Sequence, residues 1–231
     1  MKLENITNTG RAGVKRRYDD ACGTALALEF VGERWALLII RELLLGPRRF
    51  GEIRAGLPGL SANVLTQRLA GLEADGIVVR EKLPPPANVQ VYALTPWGYA
   101  AEPVVMAMGR WALRSPRHDP SLPFSRVSLM LALRMMLLPE IAEGWAGRIG
   151  FRLGEETYVV QVAHGALAIE RGTLVDAEAV FVGEPNDFLP VLFGAMPLAA
   201  ALAERRFAVE GDTARAAAFA GLFLLPPKVS A

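Results

Sequence analysis

The feature that most constrains the fold is a change of periodicity at Asp75-Gly76. Before this turn, Leu65, Leu69 and Leu72 recur at the spacing of one helix face. After it, IVVRE and VQVYALT are rich in β-branched residues and flank the stiff loop LPPPAN. The sequence therefore predicts a helix over Ser61–Asp75, with Ser61 as its N-cap, followed directly by a β-hairpin.

The outward face of this helix carries unusually little charge. Asn63, Thr66 and Gln67 lie opposite the leucines, and the first carboxylate is Glu73. Neutral amides without nearby acids suit a surface that approaches a polyanion and bonds to base edges. An ordinary solvated helix face is the alternative.

Helical patterns surround this pair of elements. Cys22–Gly32 predicts a helix with Leu26 and Phe30 inward, Glu33–Pro47 a strongly buried second helix, and the next segment a short one closed by Pro58-Gly59. A last helix begins around Pro96, and its apolar seam favours a dimer contact over packing in the domain's own core. The seam residues are Trp97, Ala101, Val104, Met108 and Trp111. This order of elements is that of a winged helix-turn-helix domain.

The chain changes character after a polar, proline-bearing segment at 115–123. Alternating strands and short helices follow, and their segregation implies an α+β domain. The predicted fold class is therefore α+β: a basic flexible tail over 1–17, a winged helix over 18–114, a linker over 115–123 and a second domain over 124–231. Core packing explains the apolar residues of the second domain, but they could also line a ligand pocket: Phe188, Leu192, Phe193, Phe207, Phe219, Leu222 and Phe223.

Composition narrows the function classes. Residues 1–120 hold 16 basic against 12 acidic side chains, and residues 121–231 hold 9 against 12, so the basic half contains the predicted DNA-facing helix. With Cys22 as the single cysteine, an intramolecular disulfide and a zinc cluster are excluded. We expect no metal, no cofactor, no secretory signal and no membrane insertion, and hence a cytoplasmic protein. The chain shows no P-loop, dinucleotide turn or nucleophile elbow, so we do not expect an enzyme.

Several motifs in order resemble one family over roughly residues 18–114. They are Cys22, VGERWALLIIRELLLGPRRFGEIRAGLPGLSANVLTQRLAGLEADGIVVRE, PPPANVQVYALTPWGYAAEPV and Trp111. This series resembles the HxlR family of bacterial winged-helix regulators, which are MarR-like in fold. The resemblance implies a homodimer on operator DNA, with the terminal helices for dimerisation and the Ser61–Asp75 helix for recognition.

Individual roles follow from the residues and the resemblance together. The expected DNA-contacting residues are Arg48, Arg49, Ser61, Asn63, Val64, Thr66, Gln67, Arg68, Arg80 and Lys82. For Arg68, a phosphate contact and an intramolecular ion pair are both open. Cys22 is a candidate thiol sensor, against the alternative of an inert small hydrophobe. The wing tip departs from the family pattern, because LPPPAN contains no Lys or Arg.

Residues 122–228 are similar, more loosely, to the sterol-carrier-protein-type lipid-binding fold. The similarity lies in the strand spacing, in Gly172–Gly183 and in Phe207–Asp212 before a terminal helix. It implies an apolar cavity between sheet and helices and a fatty or other apolar effector. The leading hypothesis is thus a dimeric transcription regulator modulated by such a molecule or by Cys22. The alternative is a hydrophobic-ligand carrier whose winged helix mediates protein contacts.

Overall fold

The computed structural model describes residues 18–229, which divide at Arg34 and Trp35 into two compact units. The basic tail predicted over 1–17 lies outside the described residues. The first unit contains helix α1 (Gly23–Val31). Leu26, predicted to face inward, is 54% exposed, so that prediction is wrong. The described part of this unit holds a single helix, which offers no second layer to cover Leu26.

The second unit begins with a winged helix. Helices α2 (Ala36–Leu43), α3 (Phe50–Ala55) and α4 (Ala62–Ala74) precede strands β1 (Val78–Lys82) and β2 (Gln90–Leu94). The strands pair antiparallel with Val78 opposite Leu94, which confirms the predicted hairpin. The leucine face of α4 and the apolar faces of α2 and α3 meet in one core: Ile39, Ile40, Leu43, Ile53, Leu65, Leu69 and Leu72.

The predicted last helix of this domain is divided into two. Helix α5 (Pro96–Tyr99) ends at Ala100, and α6 (Glu102–Ala112) begins after Ala101. Pro103 has no backbone N–H to donate and stands in the first turn of α6, where a proline is tolerated. The prediction of one continuous helix from Pro96 is therefore wrong.

The C-terminal half is an α+β domain. Helices α7 (Arg126–Met136) and α8 (Pro139–Ala142) lead into strands β3 (Gly147–Leu153), β4 (Glu156–Ala163), β5 (Ala166–Arg171) and β6 (Ala179–Val182). Helices α9 (Pro185–Leu192) and α10 (Leu198–Ala203), strand β7 (Ala208–Gly211) and helix α11 (Thr213–Ala220) follow. The sheet order is β5-β4-β3-β6-β7, antiparallel except for the parallel pair of β3 and β6.

Aromatic side chains fill the interior between this sheet and its helices. Phe151 and Phe181 stack with ring centroids 5.1 Å apart, and Phe188 meets Phe207 edge to face at 4.8 Å. Such pairs stabilise beyond the burial of their area. Phe219 extends the cluster. Like Phe151, Phe181 and Phe188, it is fully buried. The sheet-facing apolar residues thus form a packed core.

Helix α7 joins the two halves. It packs against α2 and α6 of the winged helix and against β5 of its own domain. Residues Val127–Leu133 are buried all the way round the helix. A helix that is apolar on every side is one with neighbours on every side. Helix α7 is therefore the element shared by both halves.

Candidate nucleic-acid interface and apolar cavity

Helix α4 presents the face expected to read DNA. The Ser61 hydroxyl accepts a hydrogen bond from the Val64 N–H at 3.3 Å, which confirms Ser61 as the N-cap. Asn63 and Gln67 are exposed one turn apart. The Thr66 hydroxyl donates to the Ala62 carbonyl at 3.0 Å, which leaves its oxygen as an outward acceptor. The face offers neutral donors and acceptors.

The remaining predicted contacts of α4 are closer to the protein. Val64 and Arg68 are both half-buried, and Arg68 has an interaction of its own within the protein. The ion-pair interpretation of Arg68 and the phosphate interpretation are both compatible with this position. The exposed polar residues in the first two turns of the helix are therefore Asn63, Thr66 and Gln67, which we call the ridge.

Arg48 and Arg49, predicted together as phosphate contacts, point to different environments. Arg49 is exposed at the N-cap of α3, where its backbone N–H donates to Glu52 Oε2 at 2.8 Å. Arg48 is only 3% exposed. The backbone of Arg48 forms a two-bond bridge with Tyr92 of the wing, which turns its side chain inward. The prediction of Arg48 as a DNA contact is therefore wrong.

The Arg48 guanidinium bonds to the C-terminal domain instead. It donates to the two Glu156 carboxylate oxygens at 3.2 and 2.8 Å and to the Tyr158 hydroxyl at 2.7 Å. Arg126 donates to Glu156 Oε1 at 3.0 Å. A further bond runs between the two halves beside Arg48: the guanidinium of Arg171, in β5, donates to the Pro47 carbonyl at 2.8 Å. We call Arg48, Arg126, Glu156 and Tyr158 the junction cluster.

The charge states of the junction cluster follow from its geometry. Burial alone would raise the pKa of Glu156, but hydrogen bonds from Arg48, Tyr158 and Arg126 outweigh it and hold the pKa at about 2. Burial raises the pKa of Tyr158, and the neighbouring Glu156 carboxylate adds to the effect. Arg48 stays protonated, because Glu156 outweighs the cost of its burial and raises its pKa. The cluster is thus an ionised, hydrogen-bonded contact between the halves.

The wing carries two predicted cationic contacts. Arg80 is exposed, with its guanidinium 3.3 Å from Glu73 Oε2 and 5.5 Å from the centre of the Tyr92 ring. Lys82 is exposed at the end of β1. Arg80 therefore links the first wing strand to the C-terminal turn of α4.

The predicted dimer seam is largely exposed on α5 and α6. The exposed fractions are 51% for Trp97, 51% for Val104, 48% for Met108 and 76% for Trp111, and Ala101 is half-buried. No residue of α6 is fully buried. Large apolar side chains exposed in a row mark an interaction surface.

Cys22 is exposed at the N-cap of α1. The backbone N–H groups of Thr24 and then Ala25, in the first turn of α1, lower the pKa of the thiol. Cys22 thus combines an exposed position with a lowered thiol pKa. Among the described residues, no group of three or more metal-ligating side chains comes together.

An apolar cavity of about 1450 Å³, half open to solvent, lies at the junction of the two halves. Its walls come from α2 and α6 of the winged helix, from residues 113–123, and from α7 and α9 of the C-terminal domain. Of the predicted pocket residues, Phe193 lines it. The other six pack in the domain core, so their assignment to a pocket is wrong: Phe188, Leu192, Phe207, Phe219, Leu222 and Phe223.

Sequence reasoning missed the residues that form the junction. These are the junction cluster partners Arg126, Glu156 and Tyr158, and the cavity residues Arg41, Met106 and Met135. Most lie far from their partners along the chain, and no local pattern marks them. One signal was present: the all-round apolar character of α7 indicates a helix packed on two sides.

A winged helix with an exposed neutral recognition face and an exposed apolar terminal helix, joined to an α+β domain, defines a two-domain regulator of the helix-turn-helix class. Each half of the chain matches the model of a known protein family. Residues 30–119 match the HxlR-like helix-turn-helix family, and residues 131–224 match the SCP-2 sterol transfer family. The chain belongs to the HxlR-like family and carries an SCP-2-type C-terminal domain.

Individual relatives agree over the winged helix. The chain is 41% identical over 87 residues to the uncharacterized HTH-type transcriptional regulator YvaP of Bacillus subtilis, covering 37% of this chain and 80% of YvaP. It is 41% identical over 86 residues to the HTH-type transcriptional regulator YodB of the same organism, covering 37% and 77%. The solved reduced form of YodB matches 42% of this chain and 98% of its own, with 37% identity and a TM-score of 0.38. None of the described helices is long and apolar enough to cross a membrane.

Proposed function

We propose that this transcription regulator binds operator DNA in the cytoplasm as a homodimer, with α4 of each subunit in the major groove. The observation that carries the proposal is the exposed ridge of Asn63, Thr66 and Gln67 on a helix whose opposite face is fully buried. Amide side chains bond bidentately to adenine in the major groove. Arg49 and Lys82, both exposed, would contact phosphates on either side of the ridge.

Dimerisation is proposed through the seam on α5 and α6. Trp111 is the most exposed large apolar residue of the two helices, and burial of Trp111, Val104 and Met108 against a second copy would remove this surface from water. A two-fold dimer places its two recognition helices about 34 Å apart, one turn of DNA. The operator would then be roughly palindromic.

The test is operator affinity measured on DNA from the region upstream of the gene, against scrambled DNA, over a salt series. Asn63→Ala and Gln67→Ala should each lower the preference for the operator by about 1–3 kcal/mol without changing binding to scrambled DNA. Gln161→Ala, an exposed amide on the C-terminal sheet, is the matched control. Unchanged preference in both helix variants would refute base reading by α4.

A ligand carrier is the second candidate function, and the junction cavity favours it. A carrier needs no phosphate interface, so any DNA binding would vary little with salt. A true phosphate interface loses orders of magnitude in affinity as salt rises. The same salt series therefore separates the two functions.

We further propose that Cys22 acts as a thiol sensor. Its exposure and the pKa-lowering first turn of α1 support the assignment. A thiol-reactive quinone should alter operator affinity of the unmodified protein and not of Cys22→Ser. An equal response of the two proteins would contradict the assignment.

A further inference from the structure

The sterol-carrier resemblance implies a ligand cavity inside the C-terminal domain, but that space is occupied by aromatic rings. Phe181 and Phe188 lie 5.8 Å apart, and Phe219 lies 6.2 Å from Phe181. All three are fully buried. Close packing of this kind leaves little room for a ligand.

The open apolar space lies instead at the junction cavity. Its volume of about 1450 Å³ exceeds the roughly 300–1,000 Å³ usual for small-molecule sites. Four of the chain's seven methionines line it: Met106, Met108, Met135 and Met136. Methionine is flexible and polarisable, and it is common on surfaces that adapt to varied apolar partners.

One end of the cavity carries positive charge. Arg114 and Arg117 line it, and the Lys228 ammonium donates to the backbone carbonyls of Leu113 and Ser115, which also line it, at 2.9 and 3.2 Å. The single acidic residue among the lining side chains is Asp119. Its carboxylate already accepts from the backbone N–H and the hydroxyl of Ser121 at 2.9 and 2.6 Å. This end therefore favours an anion.

The opposite side of the cavity is fixed by hydrogen bonds across the junction. The Ser125 hydroxyl donates to Glu42 Oε1 at 2.7 Å and lies 2.8 Å from the hydroxyl of Ser128, a cavity-lining residue. Arg41, also lining, donates to the same Glu42 oxygen at 2.7 Å. The walls contributed by α2 and α7 are thus held to each other by hydrogen bonds.

We propose that the junction cavity binds an amphipathic anion, a molecule with an apolar body and one carboxylate-like group, and that this is the effector site. The apolar body would lie among the methionines, with the anionic group at Arg114, Arg117 and Lys228. The effector role rests on the DNA-binding function proposed above, whereas the binding itself does not.

The site explains how a ligand would reach DNA binding. Met108 and Trp111 line the cavity and also belong to the dimer seam on α6. A ligand against them favours one placement of α6, and through it one separation of the two recognition helices. Unequal affinity for two arrangements is the condition for any such coupling.

The test uses calorimetric titration of the full-length protein with decanoate, without DNA, and with decanol as the uncharged probe. Decanoate should bind saturably, and Ala112→Trp, which fills the cavity from α6, should weaken it at least about tenfold. Ala107→Trp, exposed on the same helix and outside the cavity, should leave affinity unchanged. Arg117→Gln should weaken decanoate and not decanol, and Arg205→Gln, remote from the cavity, should weaken neither.

Leu189→Trp fills the cavity from α9 and guards against a folding defect in the α6 variant. Absent binding, or equal affinity in both filled variants and the unmodified protein, would overturn the site. Decanoate should also shift operator affinity in the unmodified protein and not in Ala112→Trp. Decanoate binding without a shift in operator affinity would overturn the effector role and not the binding site. If the protein proved not to recognise an operator, the calorimetric test of the binding site would still be valid.

Discussion

The two halves of this protein differ in where they place their largest aromatic side chains. In the C-terminal domain, Phe151, Phe181 and Phe219 are completely buried, with rings in contact. In the winged helix, Trp97 and Trp111 are exposed on the last helices. The C-terminal domain keeps these rings inside its core, and the winged helix presents its two indole rings to solvent. Apolar content alone therefore does not distinguish a core from a contact surface. It also does not distinguish a filled space from a cavity.

The largest expected effect contrasts these two kinds of apolar residue. Phe181→Ala should destabilise the protein by about 3–5 kcal/mol, because it leaves a hole in a packed core. Trp111→Ala should change the stability of the isolated subunit by no more than about 0.5 kcal/mol, as surface substitutions do, while weakening dimerisation. Urea unfolding and sedimentation measure the two quantities.

The opposite results would contradict this contrast between buried and exposed aromatic residues. If Phe181→Ala is nearly neutral, the aromatic interior is loosely filled and a ligand could enter it. If Trp111→Ala dimerises as well as the unmodified protein, the seam on α6 serves another partner. Trp145→Phe, within the same C-terminal core, is the conservative control for the first variant.

The second prediction concerns neighbours that the sequence treats alike. Arg48→Met should cost about 3 kcal/mol, because it removes the buried partner of the half-buried Glu156 carboxylate. Arg49→Met should leave stability within about 0.5 kcal/mol and instead weaken binding to all DNA sequences and reduce its salt dependence. Thermal unfolding and a salt series on scrambled DNA distinguish them. Equal stability of the two variants would show that the halves are held together by other contacts.

These two arginines also show where sequence reasoning stops. The N-cap at Ser61 and the β-hairpin after α4 follow from local periodicity and turn chemistry, and both are confirmed. Arg48 joins Glu156 across 108 residues of chain. Nothing in its neighbourhood distinguishes it from Arg49, because burial is decided by the fold.

The cavity escaped prediction for a related reason. The phenylalanines of the C-terminal domain predict apolar volume, but only packing determines whether that volume is filled. The actual cavity uses small and flexible residues from both halves, such as Ala112, Ala132 and Met135. Individually these are ordinary helix residues. The apolar row on α5 and α6, by contrast, was visible in the sequence, because its residues lie close together along the chain.

The third prediction uses the low pKa of Glu156. This pKa is about 2 in the folded protein, against about 4.3 for a free glutamate. A lowered folded pKa contributes stability that is present above the unfolded value and is lost as pH falls from there toward 2. We expect the unfolding temperature to fall across this window, and to fall less in Glu156→Gln. Parallel pH profiles of the two proteins would contradict an ionised junction cluster.

The smallest expected effect compares a helix cap in each half. The Asp212 carboxylate accepts from the N–H groups of Ala214 and Arg215 at 2.8 and 3.0 Å, whereas Ser61 accepts one bond at 3.3 Å. Asp212→Ala should therefore cost about 1 kcal/mol, and Ser61→Ala about half of that. Because Ser61 caps the helix proposed to enter the major groove, its variant should lower operator affinity as well. Asp212→Ala should leave operator affinity unchanged. A loss of operator affinity in Asp212→Ala would mean that the C-terminal domain controls α4 even without a ligand.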